Sequence, residues 1–261
     1  MWVGEIQTRC ATSRMGLEFA RTESDVEAAL RLRYRVFVEE QGAQIDAPHP
    51  GIEQDRFDHF CAHLIVRDRE RGEVVGTYRL LAPEGAAAAG GYYSEQEFDL
   101  ARLRYLRPSL VELGRACVHP DYRSGAVISM LWSGVAQYLE LTGHRYLFGC
   151  ASLGMQDGGI TASRAWRQLA GSHLAPRDYR VFPLSALRLR PGEEGGNAIP
   201  PLLAGYIRLG AFVCGEPAWD PDFNTADIPV LLPMARLQRR YAKHFYGGLR
   251  GEGRRASGIA A

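Results

Sequence analysis

The sequence predicts a single α/β domain of mixed (α+β) type, in which a twisted mixed β-sheet is flanked by helices. The strongest indication is a mostly apolar strand at 111–118, which runs through a turn containing Pro120 into a Pro-free helix at 126–141. A second indication is a hairpin pattern, with two predicted strands joined at Gly72. Because strands and helices alternate along the rest of the chain, one sheet covered by helices is the expected architecture.

The other elements follow from hydrophobic spacing and from the Gly and Pro residues between them. Strands are expected at 17–20, 61–67, 74–81, 146–150, 210–213 and 228–232, and helices at 22–40, 160–169, 200–209 and 235–246. The Ser94-Glu-Gln-Glu97 pattern is typical of a capping box and predicts a short helix ending at Leu103. Loops are expected at 41–54, 82–91 and 192–197, and irregular or strand structure at 177–187. The 82–91 loop, made of small residues, is expected to add nothing to the core.

Composition and charge exclude several classes of protein. Hydrophobic residues make up 46% of the 261-residue chain, and 31 basic against 30 acidic residues leave a net charge of +1, which gives no basis for nucleic-acid binding. Five scattered cysteines without a CxxC pair argue against a metal site and for a reduced, cytoplasmic compartment. No signal-peptide pattern or apolar run of about 18 residues is present. The domain is predicted to span 16–246, between a flexible arm at 1–15 and a disordered tail at 247–261.

Several short motifs give the chain a resemblance to a known superfamily. The first set consists of Arg33-x-x-x-Phe37, Asp55-x-x-Asp58, Arg79 and Glu112-x-x-Arg115. With these motifs the chain resembles the GNAT superfamily in its long-chain acyl branch, which contains N-acyl-homoserine lactone synthases and L-ornithine N-alpha-acyltransferases. A second set is closer to the ornithine type: His119-Pro-Asp-Tyr-Arg123, Leu131-Trp-Ser-Gly134, Pro200-Pro-Leu, Gly205-Tyr-x-Arg-Leu-Gly210 and Asp222-Phe-Asn-Thr-x-Asp227. The resemblance covers about residues 16–246 and implies a GNAT-like fold.

Two departures from these patterns refine the resemblance. Lactone synthases usually have Trp six residues after the Phe, and here that position is Ala43. Acetyl-CoA members have a Gly-rich loop after the turn, whereas here Ala126 and Ile128 occupy the usual Gly positions. Their side chains hinder the close approach of a pyrophosphate to backbone amides. The donor is therefore expected to be an acyl carrier protein with its phosphopantetheine arm, rather than CoA.

Glu112 and Arg115 are the predicted catalytic residues. A buried strand carboxylate has a raised pKa, so Glu112 suits a general base that takes a proton from an amine, directly or through water. Arg115 could hold Glu112 in place or bind the substrate carboxylate. The structural alternative is a simple ion pair between the two.

The resemblance implies further substrate-binding residues. Asp55 and Asp58 are expected to bind the side-chain amine of ornithine, the alternative being that either caps a turn. Arg33 and Arg79 are expected to clamp Asp58 or the carrier phosphate, with surface cations as the alternative. Phe37 is also expected to be a substrate-binding residue.

A late loop and the central turn complete the predicted site. Asn224 and Asp227 are expected to contact the substrate amine or carboxylate, with an Asx turn as the alternative. The donor arm is expected to bind at Val118, Arg123, Ser124 and Gly125.

The predicted activity is transfer of a 3-hydroxyacyl chain from acyl carrier protein to the alpha-amine of L-ornithine, giving lyso-ornithine lipid. The alternatives are a lactone synthase that uses S-adenosylmethionine, an N-acyltransferase for another amino acid, and an inactive carrier- or lipid-binding protein. No bound cofactor is expected beyond the carrier thioester. The basic segment 236–255 is predicted to dock the acidic carrier protein or the inner face of the membrane.

Overall fold

The computed structural model describes residues 14–45, 49–191 and 198–237. Within these ranges the strands are β1 Met15–Phe19, β2 Ala62–Asp68, β3 Glu73–Leu81, β4 Phe98–Asp99, β5 Leu110–Val118, β6 Tyr146–Gly154, β7 Phe182–Pro183, β8 Phe212–Val213, β9 Ala218–Asp220 and β10 Thr225–Pro233. The α-helices are α1 Glu23–Tyr34, α2 Pro83–Ala88, α3 Ala126–Thr142, α4 Ile160–Ala170 and α5 Pro201–Leu209. A π-helical segment, Arg35–Glu40, continues α1.

Eight of these strands form one sheet in the order β1-β2-β3-β5-β6-β10-β8, with β9 paired to β10. Neighbouring strands are antiparallel except β5 and β6, which run parallel only from Leu110–Tyr146 to Glu112–Phe148. Beyond Glu112, β5 stays paired with β3, and β6 stays paired with β10 as far as Gly154. The two central strands therefore separate just after Glu112 and leave a gap in the middle of the sheet.

Helices cover the sheet as the apolar spacing predicts. Helix α1 begins with a capping box: the Thr22 hydroxyl accepts from the Asp25 amide at 3.1 Å, and the Asp25 carboxylate accepts from the Thr22 amide at 3.1 Å. Helix α3 lies against β2, where a side chain at Gly134 would collide with Leu64. The mixed sheet flanked by helices and the hairpin turn at Gly72 are confirmed.

Two local predictions are wrong. The 82–91 segment is not a loop outside the core, because α2 begins at Pro83 and Ala86 is buried in an apolar cluster with Phe57. Alanines favour helix, and Pro suits the first turn. The predicted capping box at 94–97 does not form, because Glu95 accepts from the Tyr92 amide at 2.7 Å instead. A short 3₁₀ turn and β4 replace the predicted helix.

Some predictions fall outside the described residues. These are most of the N-terminal arm at 1–15, the 192–197 loop, most of the basic helix at 235–246 and the tail at 247–261. Among the helices that are described, none has the length and apolar composition needed to cross a bilayer.

Candidate active site

Glu112 lies where β5 and β6 begin to separate, and it is buried. Its two carboxylate oxygens accept from the backbone amides of Tyr93 at 2.7 Å and Ser94 at 2.8 Å. Burial raises the pKa of Glu112 above its ordinary value, and the hydrogen bonds at Ser94 and Tyr93 partly oppose the shift. The result is a fixed carboxylate with a pKa displaced toward the range useful for taking a proton.

Arg115 does not pair with Glu112, so the ion pair considered as the structural alternative is absent from the described contacts. Arg115 has φ of 53°, and it lies at a bulge where Arg115 and Ala116 oppose Tyr78 alone on β3. The Arg115 guanidinium carbon lies 4.4 Å from the ring centroids of both Tyr93 and Phe223. The bulge thus turns Arg115 away from the carboxylate three residues earlier.

Arg33 is the centre of a buried ion network. Its Nη1 and Nη2 donate to Asp58 Oδ1 at 2.6 Å and Oδ2 at 3.1 Å, and its Nε donates to Glu53 Oε2. The exposed fraction of the Arg33 side chain is zero, so the alternative of a surface cation is excluded. The predicted clamp on Asp58 is present, and Glu53 is a member that sequence reasoning missed.

Two more arginines complete this network. Arg79 Nη1 donates to Asp55 Oδ1 at 2.6 Å and to Asp58 Oδ1 at 3.0 Å. Arg115 donates to Glu53 Oε1 at 3.2 Å and to Asp55 Oδ2 at 3.3 Å. Three cations therefore face three carboxylates, and the charges balance.

Asp55 and Asp58 also hold the backbone of their own loop. Asp58 Oδ2 accepts from the Asp55 amide at 2.8 Å, and Asp55 Oδ1 accepts from the Phe57 amide at 2.8 Å. Turn capping and arginine binding therefore occupy both carboxylates. Their predicted contact with the ornithine side chain stays a prediction.

Acidification is expected to unfold the protein through this network. Burial acts to raise the pKa of Asp58, but the charges of Arg33 and Arg79 outweigh it and hold the pKa well below the usual range. The folded state then binds fewer protons than the unfolded chain, so stability present above pH ~4 is lost as the pH falls toward 2. Urea unfolding between pH 7 and pH 3 measures this. In the Asp58→Asn variant, the free energy of unfolding should depend less on pH than in the wild type. The same pH dependence in both proteins would contradict this assignment.

A small polar cavity of about 60 Å³ lies in the gap between β5 and β6. Predicted site residues share its wall with residues from β6 and the 93–94 turn: Arg79, Tyr93, Ser94, Glu112, Arg115, Cys150, Ser152 and Asp227. The structure thus brings the predicted base, two of the predicted arginines (Arg79 and Arg115) and Asp227 around one space.

Three carboxyl groups meet beside this cavity. Glu97, Asp220 and Asp227 each have a carboxylate oxygen within 4.8 Å of the others. Burial, reinforced by Asp227 and Asp220, raises the pKa of Glu97 to about 9. Only Asp227 was predicted. Oxygen ligands of this kind also suit a metal ion, and no sequence pattern had indicated a metal site.

Asn224 and Phe37 occupy different positions near the cavity. Asn224 lies in the turn between β9 and β10, with φ of 51°, a conformation that Asn tolerates better than most residues. Phe37 packs edge-on against Phe223 at 5.8 Å between ring centroids. Phe37 therefore supports the ring that contacts Arg115, and the predicted substrate contacts of both residues stay predictions.

A larger cleft of about 750 Å³ lies next to the C-terminal half of β5, between α3 and α5. Three of the four predicted donor-arm residues, Val118, Arg123 and Gly125, line it. Ser124 is exposed and is not among its lining residues. Arg123 is held by Glu40 through hydrogen bonds of 2.6 and 2.7 Å, a partner that the sequence did not indicate.

Trp132 on α3 separates this cleft from deeper apolar space. It lines the large cleft and two small cavities of about 40 and 10 Å³ beneath it. The 40 Å³ cavity shares Tyr206 with the cleft, and it shares Leu113 and Cys150 with the polar cavity around Glu112. The cavities therefore form a series from the outer cleft to the carboxylate.

The fold is that of the GNAT class. A model of the acetyltransferase (GNAT) domain matches residues 32–133. Among solved structures, FeeM, an N-acyl amino acid synthase from uncultured soil microbes, is similar with a TM-score of 0.53 and 16% identity over 86% of this chain and 92% of FeeM. BjaI, a CoA-dependent acyl-homoserine lactone synthase, gives a TM-score of 0.51 at 16% identity over 87% of this chain and 82% of BjaI. These likenesses concern the fold.

Sequence relatives narrow the class. The chain is 37% identical to an L-ornithine N(alpha)-acyltransferase of Brucella abortus over 93% of this chain and 89% of the relative. It is 36% identical to the enzyme of the same name from Rhodobacter capsulatus, over 91% of this chain and 96% of that protein. The chain belongs to the L-ornithine N(alpha)-acyltransferase family and is an N-acyltransferase.

Proposed function

We propose that this enzyme transfers a 3-hydroxyacyl chain from acyl carrier protein to the alpha-amine of L-ornithine and forms lyso-ornithine lipid. The observation that carries the proposal is the position of Glu112. Its buried carboxylate lines a polar cavity, and a small apolar cavity shares walls both with that space and with a cleft large enough for a thioester arm. The names of the sequence relatives support ornithine as the acceptor.

The reaction needs one proton transfer and one exchange of bonds. Glu112 takes a proton from the alpha-amine, and the amine nitrogen attacks the thioester carbonyl carbon. A carbon–nitrogen bond forms, the carbon–sulfur bond breaks, and the carrier thiol leaves with a proton returned from Glu112. We assign to Arg115, at the cavity wall, the acceptor carboxylate, because its hydrogen bonds to Glu53 and Asp55 use only Nε and one of its two Nη atoms.

The shape of the turn before α3 favours a carrier-protein arm as the donor. Helix α3 begins at Ala126 after Gly125, whose φ is 96°, and no acidic side chain lies in its first turn. Ile128, in the first turn of α3, lines the cleft at the end of the helix where the backbone amides are free. A branched side chain there leaves room for a pantetheine arm but hinders a compact pyrophosphate.

An acyl-transfer assay tests the proposal. We expect product when the protein is incubated with 3-hydroxypalmitoyl carrier protein and L-ornithine, with much less product from the matching CoA thioester. Mass spectrometry over a panel of amino acids identifies the acceptor. A lactone product, or no product with any amine, would overturn the proposed function.

Trp132→Ala is expected to shift donor preference toward longer acyl chains, because it removes the ring between the cleft and the inner cavity. The measurement is kcat/KM for carrier proteins loaded with chains from about 10 to 18 carbons; each added methylene buried is worth about 0.8 kcal/mol. Leu141→Ala, an exposed position on the same helix, is the control. The same preferred length in both variants would exclude Trp132 as a length determinant.

We also propose that the enzyme works in the cytoplasm and that its basic segment 236–255, most of which lies outside the described residues, brings it to the carrier protein or to the inner membrane face. A cation-rich segment is attracted to acidic partners and anionic lipids. Co-sedimentation with anionic and neutral vesicles, with and without the residues after 237, measures the membrane contribution.

A further inference from the structure

The acidic cluster of Glu97, Asp220 and Asp227 has no role in the chemistry described so far. Its three carboxylates lie within 4.8 Å of one another. Asp227 also lines the polar cavity that contains Glu112. Asp227, on β10, is therefore the member of the cluster that shares a space with the base.

Glu97 is the member whose surroundings require a partner. Both of its carboxylate oxygens lack accessible surface, and no N–H group of the described residues donates a hydrogen bond to either; its neighbour Asp227 is another carboxyl group, with which it can only share a proton. The other two have donors from the chain: Asp227 Oδ1 accepts from the Thr225 hydroxyl at 3.1 Å, and Asp220 Oδ1 from the Asp222 amide at 2.9 Å. A buried carboxyl group without a donor is unfavourable, so a ligand that supplies N–H groups would relieve it.

The charges around the cavity are also unequal. The nearby arginines are already matched, because Arg115 pairs with Glu53 and Asp55 and the rest of the ion network is balanced. Glu112 and the acidic cluster are left in excess, with no matching arginine among the described ion pairs. This excess of carboxyl groups favours a ligand with more than one amine.

We propose that Glu97, Asp220 and Asp227 form the subsite for the side-chain ammonium group of a diamino-acid acceptor while its alpha-amine faces Glu112. The inference rests on the proposed function and adds the feature that selects the acceptor. An ammonium group has three N–H donors, which suits a cluster of three carboxyl groups. This gives the side-chain amine a place separate from Asp55 and Asp58, whose carboxylates already bind arginines.

Two acceptors that differ only in the side-chain amine provide the test. L-Norvaline has the carbon skeleton of L-ornithine without the second amine. We expect the wild-type enzyme to prefer ornithine by at least about 100-fold in kcat/KM, because a site built to pair with a donor rejects an analogue that lacks it. Equal rates with the two acceptors would overturn the subsite but leave acyl transfer intact, whereas no product from either would contradict the proposed function itself.

Glu97→Gln and Asp227→Asn are the informative variants. Each keeps the size of the side chain and removes one carboxylate, so each is expected to lower the ornithine-over-norvaline ratio by about tenfold or more. Glu140→Gln changes an exposed glutamate on α3 and should keep the wild-type ratio. Thermal unfolding confirms that the variants fold. A wild-type ratio in both folded cluster variants would overturn the proposal.

The pH dependence provides a second readout. The groups that face Glu97 are Asp220, Asp227, Arg115, Tyr93 and Cys150. Because Glu97 in the free protein has a pKa of about 9, binding an ammonium group must displace its proton at lower pH. The ornithine kcat/KM of the wild type divided by that of Glu97→Gln should therefore rise from pH 7 to 9. Because both enzymes use the same substrate, the titration of ornithine cancels in this ratio. A ratio that does not change between pH 7 and 9 would contradict the role given to Glu97.

A divalent metal ion is the competing occupant of three carboxylates. We expect EDTA-treated protein to keep its preference for ornithine. Loss of that preference on chelation, with recovery after addition of Mg²⁺ or Mn²⁺, would assign the cluster to a metal ion and overturn the ammonium subsite.

Discussion

Replacing Glu112 with Gln is expected to lower kcat/KM for the acceptor by about 10²- to 10⁴-fold, the usual contribution of a positioned general base. The Gln side chain cannot accept the proton. Its amide nitrogen would also face one of the two backbone amides, from Tyr93 and Ser94, that donate to the native carboxylate. Burial raises the pKa of Glu112, so wild-type activity should fall on acidification at a higher pH than an ordinary carboxyl group would give.

Initial rates with the carrier-protein donor and ornithine measure this effect, and calorimetric titration with the carrier protein shows whether donor binding is kept. Glu84→Gln, at an exposed position on α2, is the matched control and should behave as the wild type. Glu112→Asp keeps the negative charge but shortens the side chain by one methylene group, so it should recover little activity. Full turnover by a folded Glu112→Gln enzyme would remove Glu112 from the mechanism.

Replacing Arg33 with Met is expected to lower the free energy of unfolding by about 3–5 kcal/mol, because it leaves Glu53 and Asp58 buried beside too few cations. For a domain of this size the melting temperature should fall by roughly 6–20 °C. The loss arises from unpaired buried charge, so it should be largest near neutral pH and smaller in acid, where the carboxyl groups are protonated.

Arg31→Met on the same helix is the matched control. Arg31 pairs with Glu27 four residues earlier, but both side chains are at least half exposed. Such a pair contributes about 0.3–0.5 kcal/mol, so its loss should hardly change the melting temperature. Equal destabilisation by the two substitutions, measured by urea unfolding, would contradict the view that the buried network supports the fold.

The sequence predicted the parts of the structure that depend on local pattern. The strand–turn–helix around Pro120 is present, with β5 and α3 close to their predicted bounds. The short motifs containing Arg33, Asp58 and Arg79 converge because the first helix, the loop after it and the hairpin follow one another along the chain and α1 packs against β3. Patterns of a few residues were sufficient for these features.

Sequence reasoning missed residues that acquire a role only through distant contacts. Glu53 lies in an irregular loop with no periodicity to mark it. Glu97 is the last residue of the Ser94–Glu97 pattern, which is typical of a helix cap, but Glu95 forms the cap instead. The carboxyl group of Glu97 lies near that of Asp220, more than a hundred residues later in the chain. The left-handed conformation of Arg115 could not be read from its strand-like neighbours either. No short-range pattern marks any of the three.

The β9–β10 hairpin bears Asp220 and Asp227, and among the named strands β9 pairs with β10 alone. Glu112 lies far earlier in the chain, and its hydrogen bonds come from Tyr93 and Ser94 rather than from the hairpin. Under the proposed subsite, exchange of the Asp220 and Asp227 side chains alone would alter which amino acid is accepted, while the backbone of β10 keeps its place inside the sheet. The choice of acceptor and the removal of the proton would then depend on different side chains.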